Sequence, residues 1–198
     1  MRIRHHASLG LAATACLVLS GCTNAADWNA NRSSQIHSFD TSSIQAQPDI
    51  IAKLPQGALE DGVLDVAAST DYAPAEFLDP SGTAVGYDVD LTNAIAAVLG
   101  VKGKVHTAEF DSIIASIGSK YDAGISSFTV TPERTAEVDM TAYINVGSRF
   151  NVQAGNPKDV ETSDHLKLCG RTIGVQVGTA QETTMRDAAD KCAQAGKP

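Results

Sequence analysis

The chain predicts an α/β fold built on a parallel sheet, and two observations carry that prediction. Buried-looking strands alternate with helix-patterned segments in the order β-α-β-α-β across residues 62–127, and the connections between them are short. That order implies parallel strands joined by right-handed crossovers.

Each element has its own sequence signal. Gly62 to Ser69 reads as the first buried strand. From Asp90 to Leu99 the apolar residues Leu91, Ala94, Ile95, Val98 and Leu99 fall at i, i+3, i+4, i+7 and i+8 spacing, the face of a helix, and Gly100 is its stop. Lys104 to Glu109 reads as the second strand. Asp111 is an N-cap candidate for a helix carrying Ile113, Ile114 and Ile117, and Tyr121 to Ser127 gives the third strand. After Met140 the pattern changes. Tyr143 to Val146 is apolar, Ser148 to Ala154 alternates like a strand, and Gly155-Asn156-Pro157 breaks it. Residues 149–156 read as a crossover into a second lobe whose first strand is Thr172 to Val177. Thr179-Ala180-Gln181-Glu182 fits a capping box, opening a helix through Met185, Ala188, Ala189 and Cys192.

The N-terminal segment points to export. Arg2 and Arg4 precede a short apolar stretch from Leu9 to Leu19, followed by Ser20, Gly21 and Cys22. A basic start, an apolar segment short for a bilayer and a small-residue cleavage site make a secretory signal over residues 1–21. Small residues directly before a cysteine resemble a bacterial lipobox, which implies cleavage before Cys22 and lipid on that residue. An ordinary signal peptide with an incidental cysteine is the alternative. Residues 22–48, rich in Asn, Ser, Ala, Asp and Gln, read as a flexible tether in which Trp28 and Phe39 stand out. Asp49 to Leu54 reads as a short helical turn ended by Pro55 and Gly57.

Of four cysteines, Cys16 lies in the signal and Cys22 is the lipidation candidate, leaving Cys169 and Cys192, which read as a disulfide in an exported protein. His5, His6, His37, His106 and His165 form no ligand cluster, so neither metal nor cofactor is expected. A net charge of −8 argues against nucleic acid or an anionic membrane surface as partner.

Open α/β sheets bind ligands outside the carboxyl ends of their strands. Here those ends carry Ser69 to Phe77, Phe110-Asp111 and Ser126 to Thr129. The run Ser126-Ser127-Phe128-Thr129-Val130-Thr131-Pro132-Glu133-Arg134 is the most informative of them. Its hydroxyls can donate to an oxyanion, and Arg134 offers a planar fork for a carboxylate. Thr131-Pro132-Glu133 reads as a helix start, with a hydroxyl N-cap, proline at the first position and an acid in the first turn. The same run would also serve as a polar strand-to-helix loop with a surface arginine. Likewise, the free N–H groups near Gly178 to Gln181 suit a carboxylate, but also fit an ordinary capped helix.

Four segments in register resemble the bacterial extracellular solute-binding proteins of polar amino-acid ABC importers, family 3. They are Tyr72-Ala73-Pro74-Ala75-Glu76-Phe77 with Gly86-Tyr87-Asp88-Val89-Asp90-Leu91; Phe110-Asp111 with Ile113-Ile114 and Tyr121-Asp122; Ser126 to Arg134; and Gly174 to Glu182. The resemblance covers residues 60 to 192. It implies a periplasmic-binding-protein-like fold of type II, with two lobes closing over one amino acid: lobe I over 49–150 and the start of lobe II over 151–198. It further implies Arg134 on the ligand α-carboxylate, with Ser126, Ser127 and Thr129 beside it, Thr179 and the Ala180 amide adding a second-lobe contact, and Tyr72 and Phe110 walling the side-chain pocket. ABC permease subunits, an extracytoplasmic location with a lipid anchor in the cell membrane, and a monomeric state follow from the same resemblance.

Ala75, Ser69 and Ala180 depart from the family pattern, leaving the ligand side chain open among acidic, amide and basic types. The family chain continues through more of lobe II, so this one reads as a fragment or a truncation, with its activity in question. Two other classes compete with this reading. A dehydratase or lytic transglycosylase-like enzyme on this fold needs a cleft acid, for which Glu76 is the candidate. A receptor sensing module needs a membrane span or signalling domain. The expectation is a binding protein, not an enzyme.

Overall fold

The computed structural model describes residues 38–198. The signal-like segment, Cys22, Trp28 and the first part of the expected tether lie outside the described residues. In chain order the elements are α1 (Pro48–Ile51), β1 (Val63–Ala68), β2 (Asp71–Tyr72), β3 (Glu76–Leu78), β4 (Ala84–Val85), α2 (Tyr87–Leu99), β5 (Lys102–Thr107), α3 (Phe110–Ser116), β6 (Ala123–Gly124), α4 (Pro132–Thr135), a 3-10 turn (His165–Lys167) and α5 (Ala180–Gln194).

β1 lies at the centre of a parallel sheet ordered β5-β1-β6. It pairs with β5 along its whole length, from Val63 opposite Lys102 to Ala68 opposite Thr107, and with β6 at Val66 and Ala67. Alternation along β1 feeds two cores. Leu64 and Val66 pack with Ala96 of α2 on one face, while Ala67 packs with Ile113 of α3 and Tyr121 on the other. A parallel strand covered on both faces reads as a continuous apolar run, which is why β1 is visible in the sequence.

Four differences from the sequence reading have physical causes. β6 is shorter than the expected Tyr121 to Ser127, because the Ser126 hydroxyl accepts the Ser69 N–H at 3.0 Å in place of a backbone carbonyl. Ser127 then leaves the ladder with φ +48°. Asp111 is not the N-cap of α3: Glu109 holds that position, and Asp111 sits in the first turn, where an acid suits the helix dipole. A second sheet, ordered β2-β3-β4 and antiparallel, folds residues 71–85 into a ribbon that the alternation did not disclose, since its strands are two or three residues long. Gly86 joins it to α2 at φ +125°, where a Cβ would lie 2.2 Å from the Ala75 carbonyl oxygen. Only glycine fits so close an approach.

The largest difference lies beyond Met140. Neither Ser148 to Ala154 nor Thr172 to Val177 forms a strand, and across residues 141–177 only Leu168 is buried. An extended segment becomes a strand only when a neighbour takes its backbone hydrogen bonds, and no such neighbour stands beside either segment among the described residues.

The Thr179 cap forms as expected, while the returning bond from Glu182 falls one residue earlier, on Gly178 rather than on the N-cap itself. Thr179 Oγ1 accepts the Glu182 N–H at 3.1 Å, and the Glu182 carboxylate accepts the Gly178 N–H at 2.7 Å. Cys169 and Cys192 are disulfide-bonded, tying the segment after the 3-10 turn to α5 beside the buried Leu168 and Ala188. The end of the expected tether lies along α2, with the Gln47 N–H donating to Val98 O and the Phe39 N–H to the Asp90 carboxylate.

The residue before the Thr179 cap also reaches α3. Gly178 sits at φ +77° against α3, where a Cβ would meet the Asp111 Cβ at 2.7 Å and its Cα at 2.9 Å.

Two outcomes follow from these contacts. The disulfide closes a loop of sequence separation 23, a constraint worth about 3 kcal/mol, so reduction should speed amide exchange in α5 about a hundredfold while β1 and β5 keep their protection. Simultaneous loss in both would mean that α5 has no stability of its own. Gly178→Ala should cost about 1–2 kcal/mol through left-handed strain alone, with the Asp111 clash added, read as a lowered midpoint of thermal melting; an unchanged midpoint would contradict this docking.

Candidate functional site

The Arg134 guanidinium is the centre of the site. The Thr131 hydroxyl accepts the Arg134 N–H at 3.4 Å, capping α4 and fixing where that residue starts. From there the side chain folds back, donating from Nη1 to Thr129 O at 2.6 Å and from Nη2 to Gly178 O at 2.8 Å. It lies over two aromatic rings, 5.7 Å from the Phe110 centroid and 5.2 Å from that of Phe128, which stack on each other at 4.4 Å. Such rings attract a cation through their negative faces. Burial lowers the guanidinium pKa from its ordinary value, yet an arginine remains charged in proteins. The fork keeps unused N–H groups, because each Nη carries two and the two carbonyls each take one.

Behind this grip runs a buried polar chain. Ser126 Oγ donates to Glu76 Oε1 at 2.5 Å. Asp88 Oδ2 accepts the Tyr143 hydroxyl at 2.8 Å and the Ser127 hydroxyl at 3.3 Å, and the Ser127 N–H donates to Tyr143 Oη at 3.0 Å. Glu76 and Asp88 are 0% and 1% exposed. Burial is the main cause that pushes Glu76 up to about 8; the Ser126 hydrogen bond opposes it, and Asp88 and Asp71 add to it. Burial likewise raises the Tyr143 hydroxyl above its ordinary value. Glu76 is therefore no cleft acid. Along β3 burial falls from Glu76 at its start to Leu78 at its exposed end, so the one carboxylate that an enzymatic reading relied on is sealed beneath the sheet edge.

The remaining candidates are distributed as follows. Phe110 lies beneath Arg134. Thr129 contributes its carbonyl. The Ser126 hydroxyl is committed to Glu76, and that of Thr179 both caps α5 and donates to Gln176 O at 2.8 Å. Ala180 opens α5, and Tyr72 on β2 is 53% exposed. Gln176 Nε2 approaches Ser69 Oγ at 3.3 Å, a second link between the residues before α5 and the end of β1. Phe128, Asp88 and Tyr143 are not among the site residues the sequence pointed to, and Gly178, expected to offer its N–H to a carboxylate, instead presents its carbonyl to Arg134. Phe128 carried a signal in its place between hydroxyls, and Tyr143 in its apolar stretch. Among the described residues no group of three or more His, Cys, Asp or Glu side chains comes together to hold a metal. A hollow of about 590 Å³ near Asp164, His165 and Lys191 contains none of the candidate residues.

Comparison with known proteins places the same segments in one family. The model of the bacterial extracellular solute-binding proteins, family 3, matches residues 64–195. The arginine-binding protein ArgT of Corynebacterium glutamicum is 31% identical over 194 residues, covering 96% of this chain and 60% of that protein. The L-cystine-binding protein TcyJ of Escherichia coli is 33% identical over 129 residues, covering 64% of this chain and 48% of that protein. Among solved structures, an ancestral arginine-binding protein bound to arginine matches with a TM-score of 0.57 at 34% identity, over 66% of this chain and 57% of that one. An ancestral amino acid-binding protein, a precursor of cyclohexadienyl dehydratase, matches with a TM-score of 0.61 at 31% identity, over 67% and 60% of the two chains. This chain thus spans between about half and 60% of the length of these relatives. With its parallel sheet and a family match over residues 64–195, the chain belongs to the bacterial extracellular solute-binding proteins of family 3, on the periplasmic-binding-protein-like α/β fold.

Proposed function

We propose that this chain binds a polar amino acid at the carboxyl edge of its parallel sheet and serves as the substrate-binding component of an ABC importer. The observation that carries this reading is the Arg134 fork, held over Phe110 and Phe128 and shared between Thr129 O and Gly178 O. A fork already braced by two carbonyls is pre-oriented, and a ligand carboxylate meets it with little loss of side-chain freedom. The carboxylate receives charge-assisted hydrogen bonds, which are about twice as strong as neutral ones. Ser127 and Thr129 line the approach, and Thr179 with the Ala180 amide approaches from the other side. Tyr72, exposed on β2, supplies an aromatic wall for the ligand side chain.

Division into lobe I over 49–150 and the start of lobe II over 151–198 belongs to the same reading, as do export, attachment through lipid at Cys22 and delivery to a membrane permease. Among the described residues no helix is long and apolar enough to cross a membrane. Binding rather than catalysis is supported by the burial of Glu76 and by the names of the relatives, which are those of binding proteins.

Calorimetric titration with L-arginine, L-lysine, L-glutamine, L-glutamate and L-cystine tests the reading. One or more should give saturable heat. Arg134→Ala should weaken that binding by about thirtyfold or more, the effect of removing one partner from a desolvated charge pair, and Arg134→Lys should restore little, because an ammonium cannot grip two oxygens in one plane. No heat from any of the five, or undiminished binding by Arg134→Ala, would defeat the proposal.

A further inference from the structure

The buried carboxyl pair behind the grip has no role in the reading above. Glu76 Oε2 and Asp88 Oδ1 are the two buried side-chain polar atoms without a hydrogen-bond partner among the described residues. Their sister oxygens are fully engaged: Ser126 donates to Glu76 Oε1, and both Tyr143 and Ser127 donate to Asp88 Oδ2. Asp88 is set beside Glu76 because its N–H donates to Ala75 O at 2.9 Å, and its carboxyl is among the groups that raise the Glu76 carboxyl. No lysine, arginine or histidine forms an ion pair with either residue among the described residues. The groups that face the pair are Asp71 from the ribbon, Ser126 after β6, and Tyr143 and Ser127 from the chain beyond, and none is a cation.

Two ionised carboxylates cannot share so dry a place without a counter-charge. One proton answers both unpartnered oxygens, because a protonated Glu76 carries an O–H that can donate to the Asp88 carboxylate. We propose that Glu76 and Asp88 hold one proton between them in the folded chain, and that this shared proton locks the Ser126–Ser127 corner to Tyr143.

The geometry gives the proton a mechanical consequence. Ser126 and Ser127 are adjacent, and each is tied to a different member of the pair. The proton joins those two anchorages into one piece, with Ser127 held in its left-handed conformation and Tyr143 fastened to the same knot. When the proton leaves, two carboxylates repel across the gap and the corner loosens. Glu76 and Asp88 are positioning residues in this scheme. Their bearing on ligand capture rests on the proposed function, whereas the proton itself can be followed without ligand.

The pH dependence has a definite sign. The folded chain binds the proton up to about pH 8, while the unfolded chain releases it near the ordinary 4.5. The stabilisation is thus fully present below about 4.5 and is lost as pH rises through about 8.

Carbon-detected NMR titration of the Glu76 side-chain carboxyl in the folded, ligand-free chain measures this directly. The expected midpoint is about 8, and a midpoint in the ordinary carboxylate range would overturn the proposal. Asp88→Asn keeps an oxygen for Tyr143 and Ser127 but offers an amide donor to Glu76, so the Glu76 midpoint should fall toward the ordinary range; a merely structural role for Asp88 would leave it unmoved, and that result also counts against the proposal. Glu76→Gln supplies the same donor permanently. Its melting temperature should stay level between pH 5 and 8, where that of the parent chain declines, and parallel curves would refute the shared proton. Failure of calorimetric binding with a Glu76 midpoint near 8 would remove the transport reading and leave the proton in place.

Discussion

The demand that every buried backbone N–H and C=O find a partner governs both the ordered and the irregular parts of this chain. β1 meets that demand on both edges, through the full register with β5 and the short one with β6. Because the pairing is parallel, each crossover returns the chain to the same edge of the sheet, so the ends of β1, β5 and β6 deliver Ser69, Phe110 and Ser126 to one place. Ser148 to Ala154 and Thr172 to Val177 have the right residues for strands but, among the described residues, no neighbour to pair with, and their backbones stay largely exposed. Side-chain pattern proposes a strand, and the ladder decides whether one exists. α5 escapes the problem because a helix satisfies its own backbone and needs help only at its start, which Thr179 and Glu182 provide.

How much of this was legible follows from how far apart the interacting residues lie. The face of α2, the apolar run of β1 and the hydroxyl N-caps at Thr131 and Thr179 depend on neighbours within a turn or two, and the sequence displays them. The site is split between the two regimes. Arg134 was readable because its helix start fixes it close to Thr129, five residues away. Its contact with Gly178 spans 44 residues, and no local pattern encodes it. The same holds for Ser126 with Glu76 and for Tyr143 with Asp88, separated by 50 and 55 residues. Glu76 shows the cost of reading locally. An acid near an aromatic and a proline resembles a surface residue until a segment 50 residues away packs over it.

Arg134 and the carboxyl pair use opposite electrostatic solutions at one sheet edge. The guanidinium is partly buried, and it keeps its charge by combining two carbonyl acceptors with two aromatic faces. It can therefore exchange one set of acceptors for another without ever being left bare. Among the described residues no cation pairs with the carboxyls, so on the proposed reading they are accommodated by giving up a charge. A proton is the smallest counter-ion and the only one that also makes a directional bond across the gap.

Those two solutions meet in the run from Ser126 to Arg134. Its first residue is bound to Glu76 and its second to Asp88, while its last reaches across to the start of α5. Between them the chain turns through a left-handed Ser127, a conformation that a non-glycine residue keeps only when its surroundings hold it there. The Asp88 carboxylate and the Tyr143 hydroxyl provide that restraint, one on the Ser127 side chain and the other on its N–H. On the proposed reading, the ligand carboxylate settles beside a backbone whose shape is set from behind by a proton. Affinity would then depend on groups the ligand never touches: Arg134 supplies the attraction, and the buried pair fixes where that attraction is aimed.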